Sequence, residues 1–186
     1  MKPTAFVDIL RDDRQALQWA PKHIRNNKTV VRFAMSCDGY SLQYATPRLR
    51  NNPKIVRVAV TNFGYSLRFA SPTLQDNESI VRAAVQDYGT ALRFASPRLQ
   101  DNKDIVALAC QSCHSALEFA SDDVKTDLAF ITELMQSNPH CLSFTPVSVK
   151  GNTTFLRTLW HELPKAMNLL HRQGFISIPE PLQCAT

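Results

Sequence analysis

The amino-acid sequence predicts an all-α fold: a right-handed α-solenoid of about seven 25-residue helical-hairpin repeats, each a long helix, a short helix and a turn, with degenerate caps at both ends. Three observations predict it. Leu17, Leu42, Leu67, Leu92, Leu117 and Leu142 recur every 25 residues without an insertion. Two positions after each stands an aromatic residue: Trp19, Tyr44, Phe69, Phe94, Phe119 and Phe144. One position further come Ala20, Ala45, Ala70, Ala95 and Ala120, then Thr145.

The elements read most clearly over 52–76. Asn52 is an N-cap and Pro53 suits the first helical position. Ile55, Val56, Ala59, Val60 and Phe63 follow at helical spacing and make one apolar face. Gly64 is expected to stop the helix by taking the left-handed conformation. Ser66 is expected to cap a second helix carrying Leu67, Phe69 and Ala70. Ser71-Pro72 breaks that helix, and Pro72 opens a last short turn that places Leu74. One such hairpin cannot bury its apolar face alone; stacked neighbours can.

The register runs outward from there. Phe6, Ile9 and Leu10 align with Val31, Ala34 and Met35, so the chain starts inside a first helix. Phe155, Leu156, Leu159 and Trp160 align with Phe130, Ile131, Leu134 and Met135. The expected organisation is one domain over 1–175, with an N-terminal cap unit at 1–26, regular repeats at 27–126, and degenerate repeats and a C-terminal cap at 127–175. A tail at 176–186, containing Ile178-Pro179-Glu180-Pro181, leaves the pattern. Gly39, Gly64 and Gly89 give way to His114, Pro139 and Pro164. Proline cannot occupy the left-handed region, so the turns near 139 and 164 are expected to be built differently and the superhelix to change curvature there.

The pattern Asp/Asn-Asn-x-x-Ile-Val-Arg-x-Ala-Val, followed by Gly-x-x-Leu-x-Phe-Ala-Ser-Pro-x-Leu, resembles the repeats of the domain of unknown function 4116 family. Asn77 to Leu99 and Asn52 to Leu74 are the clearest copies, and the likeness covers roughly 5–151. The resemblance implies a helical repeat fold. It also implies a setting in protists or in the intracellular bacteria that infect them, where some members look like secreted effectors. It brings no catalytic residues.

Composition bounds the rest. Hydrophobic residues make up 44% of the 186 and charged residues 20%, which argues against global disorder. No apolar run approaches the roughly eighteen residues of a membrane span, and the first residues do not read as a secretory signal peptide. Five cysteines, Cys37, Cys110, Cys113, Cys141 and Cys184, point to reduced thiols in a cytosol-like compartment. A bacterial protein translocated into a host by a C-terminal signal would look the same.

Cys110-x-x-Cys113, near His114, His140 and Cys141, has the residue types of a zinc site. The repeat explains them otherwise: Cys110 fills the slot of Val60 and Val85, Cys113 that of Phe63 and Tyr88, and Cys141 that of Ser66 and Ala91. Buried cysteine packs as a small hydrophobe. His161-Glu162 lacks the second histidine of a metalloprotease helix, Lys165 standing in its place. A nucleophile pair from Cys141 or Cys184 with His140, His161 or His171 is favoured by no motif, and a small cysteine- or metal-dependent enzyme stands as the second alternative. No catalytic, metal or cofactor site is therefore expected. The aromatic ladder from Trp19 to Phe144 reads as packing between repeats rather than a base-stacking platform.

The arginines carry the functional expectation. Arg32, Arg57 and Arg82 share one slot, Arg68 and Arg93 a second, and Arg48 and Arg98 a third. Residues 1–104 hold 16 Lys/Arg against 9 Asp/Glu, and residues 105–186 hold 5 against 7. The basic half therefore carries +7 and the remainder −2, giving the net charge of +5. Rows of arginine in a basic half suggest an acidic protein partner; a nucleic acid is the alternative, and a solvated face with local ion pairs the plainest explanation.

Overall fold

The computed structural model describes residues 3–174 and 176, and all regular structure among them is helical. Apart from Ile176, the tail expected at 176–186 lies outside the described residues. Seven long helices of ten residues each recur: Pro3–Asp12, Lys28–Cys37, Pro53–Asn62, Glu78–Asp87, Lys103–Ser112, Leu128–Ser137 and Thr153–Glu162. Units two to six occupy 27–51, 52–76, 77–101, 102–126 and 127–151. In each, a 3₁₀ segment such as Gly64–Phe69 and a one-turn helix such as Pro72–Gln75 follow the long helix. Long helices stack on long helices and 3₁₀ segments on 3₁₀ segments, making two layers.

Six of the seven long-helix starts are set by a side chain. Asn27, Asn52, Asn77, Asn102, Asp127 and Asn152 lie outside the helix and accept from the N–H groups of Val30, Ile55, Ile80, Ile105, Phe130 and Phe155. These bonds satisfy donors that the first turn otherwise leaves open. Ile55, Val56, Ala59 and Val60 are buried, with Leu67 and Leu74 closing the core from the other elements.

Gly64 does not act as expected. The helix ends at Asn62, Phe63 is extended (φ −154°, ψ 104°), and Gly64 opens the 3₁₀ segment. Among the described residues the only positive φ belongs to Gly174. Glycine is needed instead because the next unit comes so close. A Cβ on Gly39, Gly64 or Gly89 would fall under 3.0 Å from the carbonyl oxygen of Ala59, Ala84 or Ala109. The close approach is also bonded: the Gly64 N–H donates to Asp87 Oδ2 at 2.7 Å, and the Gly39 N–H to Asn62 Oδ1 at 2.9 Å. Ser66 caps nothing. It sits buried inside the 3₁₀ segment, its Oγ without a hydrogen-bond partner.

A second tie holds consecutive units. The N–H groups of Thr46, Ser71, Ser96 and Ser121 donate to the carbonyls of Arg25, Arg50, Gln75 and Gln100. Their hydroxyls donate to Asn26, Asn51, Asp76 and Asp101. Between units five and six this system fails in four slots at once. His114 replaces glycine, Leu134 replaces alanine, Thr126 replaces Asn/Asp, and Pro146 has no N–H to donate. The long helices Lys103–Ser112 and Leu128–Ser137 accordingly pack less closely than the earlier pairs. The turn itself is unchanged. Asn138 is extended (φ −148°, ψ 97°) and Pro139 occupies the first 3₁₀ position, without the N–H that Gly39 and Gly64 donate across their joints. The departure expected at Pro139 therefore lies in packing and not in the turn. At Pro164 the turn does differ, with Leu163 at φ −128°, ψ 54°, and an α-helix, Pro164–Arg172, replaces the 3₁₀ segment.

One joint is tuned by a proton. Asp76 accepts from the Ser96 hydroxyl and from Arg98 Nε, and these bonds, the Ser96 one foremost, hold its carboxyl below the usual range. A carboxylate whose pKa is lowered by folding stabilises above its unfolded pKa of about 4, and loses that contribution as pH falls through the lower folded value. Acid unfolding as pH falls below about 4 is thus expected to be shallower in Asp76→Asn. Asparagine holds the same slot in units one and two and needs no deprotonation. Urea midpoints measured across that range check this; identical pH slopes in the two proteins would remove Asp76 from the account.

Candidate interaction surface

The structure divides the three arginine rows. Arg32, Arg57 and Arg82 lie on the long-helix layer. Arg82 is ion-paired, its Nε 3.0 Å from Glu78 Oε1 and its Nη2 4.0 Å from Asp104 Oδ2. Arg57 donates through Nη2 to the neutral Ser79 hydroxyl at 2.7 Å. Arg32 is exposed, with no carboxylate bound to it among the described residues. Arg48 and Arg98 are clamps between units. Arg48 donates from Nε to Asn26 Oδ1 at 3.0 Å and from Nη2 to Asn26 O at 2.8 Å, and Arg98 repeats this on Asp76. That row is committed to the joints.

Arg68 and Arg93 leave from the 3₁₀ layer and sit among rings. Arg68 donates to the Tyr65 hydroxyl at 2.9 Å, and its guanidinium carbon lies 6.0 Å from the Phe69 centroid. The Arg93 guanidinium carbon lies 5.4 Å from Phe94 and 5.2 Å from Phe119. Ring quadrupoles attract and orient such cations. Neither arginine is ion-paired among the described residues.

The ladder expected in the core is only half there. Phe69, Phe94, Phe119 and Phe144 are half-buried against the core, as is Tyr44, while Trp19 is 80% exposed. Over Phe69 and Phe94 a ring from the preceding unit covers the slot: Tyr40 meets Phe69 edge-on at 5.2 Å, and Tyr65 meets Phe94 at 5.1 Å. Among the described residues no such ring lies over Trp19, in the first unit. Tyr40 and Tyr65 also stack at 6.3 Å, and Tyr65 reaches Tyr88 at 5.9 Å. Tyr40 and Tyr88 are 38% and 41% exposed, so this cluster is a surface feature. The cluster is not among the features expected from the sequence. The available signal was the recurrence of Phe63 and Tyr88, and of Tyr40 and Tyr65, on either side of the tight glycine.

The cysteines take the places their slots imply. Cys110 and Cys141 are buried free thiols, and hydrogen bonding between them, together with burial, pushes the Cys110 thiol well up. Cys113 Sγ lies 3.0 Å from the Ser115 hydroxyl. The His114 and His140 rings are 5.5 Å apart. Among the described residues no three His, Cys, Asp or Glu side chains are grouped to hold a metal ion. His161 and Lys165 are exposed; Cys184 lies outside the described residues.

Fold and joints together define an all-helical repeat protein whose units begin at a capping Asn or Asp. Comparison with known families agrees with that unit. A family model described as a domain of unknown function (DUF4116) matches 8–50, 27–75, 52–100, 77–125 and 102–150. Four of those windows begin on the caps Asn27, Asn52, Asn77 and Asn102. The chain belongs to this family. No curated protein and no solved structure matches it. No helix among the described residues is long and apolar enough to cross a membrane.

Proposed function

We propose that the protein is a non-catalytic scaffold for protein–protein interaction, which binds an acidic partner surface through its basic N-terminal half. The observation that carries this reading is the set Arg32, Arg57, Arg68 and Arg93. All four are exposed and none has a carboxylate partner among the described residues, while Arg82, Arg48 and Arg98 already have partners. Charge-assisted bonds to carboxylates are the strong use of such donors. The setting is cytosol-like, and for an effector it is the cytosol of a host cell.

Reversing Arg32, Arg57, Arg68 and Arg93 together to Glu is expected to abolish capture of an acidic protein from lysate, while helical circular dichroism stays unchanged. Capture that survives all four reversals would sink the reading. Tight binding of a generic duplex instead, falling steeply with salt, would move the function to nucleic acid.

A further inference from the structure

Of the four arginines without a carboxylate partner, two are held against aromatic rings. Arg68 is oriented by the Tyr65 hydroxyl and the Phe69 ring, and Arg93 lies between Phe94 and Phe119. A guanidinium ordered before binding loses less rotamer entropy when it binds. The rings around the pair are half-exposed, and arginine among tyrosines is the composition that dominates binding energy at interfaces. Among the described residues no ring lies over Arg32 or Arg57, on the other layer.

The spacing selects the shape of the occupant. Packed helices stand 8–10 Å apart, so equivalent slots in consecutive 3₁₀ segments recur at about that interval. A polyproline II chain has three residues per turn and rises about 3.1 Å per residue. It therefore returns the same face every third residue, after about 9 Å. Aromatic-lined surfaces favour this conformation because it is ordered before it docks. The row is also bounded. Gln43 precedes Arg68 and Glu118 follows Arg93, so cations occupy two consecutive slots, and a third carboxylate beyond Arg93 would meet Glu118.

We propose that the 3₁₀ face is a seat for an acidic polyproline II segment of a partner protein. Two carboxylates three residues apart meet Arg68 and Arg93, and proline rings between and beside them lie on Tyr40, Tyr65, Phe69 and Phe94. The proposal rests on the acidic-partner reading above and assigns it a face and a register.

Anisotropy titrations with two fluorescein-labelled peptides test it. One carries two Glu three residues apart in a proline background; the other has the same composition with both Glu at one end. The spaced peptide is expected to bind saturably at low salt, and the end-clustered one at least about tenfold more weakly. Arg68→Glu with Arg93→Glu should weaken the spaced peptide by at least about tenfold, and Arg32→Glu with Arg57→Glu by less than about twofold. Thermal melts of both double variants, and the milder Arg68→Gln with Arg93→Gln, separate lost binding from lost fold. Equal binding of the two peptides, indifference to the Arg68 and Arg93 reversals, or tighter binding of oligothymidylate through those arginines would overturn the seat. If an acidic partner is captured but only Arg32 and Arg57 matter, the seat falls and the acidic-partner reading stands.

Discussion

Gly64→Ala is expected to lose about 3 kcal/mol of stability, a large effect for one methyl group. The added Cβ would overlap the carbonyl oxygen of Ala84 and stand 2.9 Å from Tyr88 Cβ. The obstacle is backbone, so no rotamer change relieves it, and Ala84→Gly cannot rescue it. The two long helices must separate, and the Gly64 N–H then loses Asp87. Gly151→Ala is the control. Its new Cβ would lie 3.1 Å from Val147 O at the end of a one-turn helix, with no neighbouring unit in contact, and a change within about 1 kcal/mol is expected. Urea unfolding followed by circular dichroism compares them. Equal midpoints for the two variants would refute the account of the joints.

Leu92→Ala is expected to cost about 2–5 kcal/mol. Leu92 has no exposed surface and sits within the 3₁₀ segment Gly89–Phe94, so truncation leaves a void where two units meet. Trp19→Ala removes a larger side chain from the same repeat pattern, but one that is 80% exposed, and should change stability by about 0.5 kcal/mol or less. The contrast isolates burial from residue size. A Trp19 variant as unstable as the Leu92 variant would mean that the first unit packs otherwise.

Much of this is legible in the sequence. The period, the caps such as Asn52, the buried leucines and the one-turn helix opened by Pro72 all follow from residue type and spacing, because each is decided within one unit. What escaped depends on distances between units. Nothing in the pattern around Gly64 says whether glycine serves a left-handed turn or a close carbonyl. Ser66 reads as a cap until the segment around it proves to be 3₁₀. The slots of Arg48 and Arg68 look alike in one dimension. Only the folded chain shows one clamped to Asn26 and the other lying among rings.

The ties between units also bear on how such a chain can lengthen. Gly39, Gly64 and Gly89 each face an alanine one joint ahead, and the hydroxyls of Thr46, Ser71, Ser96 and Ser121 each reach an Asn or Asp one joint behind. Removing or duplicating 52–76 as a block leaves every such pairing matched, since Gly39 would simply face Ala84. Whole units are therefore the natural currency of duplication in this array, and single slots are not. His114 and Leu134 mark where that exchange ends: once both sides of a joint have outgrown the tight contact, the unit beyond 126 no longer fits behind any of the earlier ones.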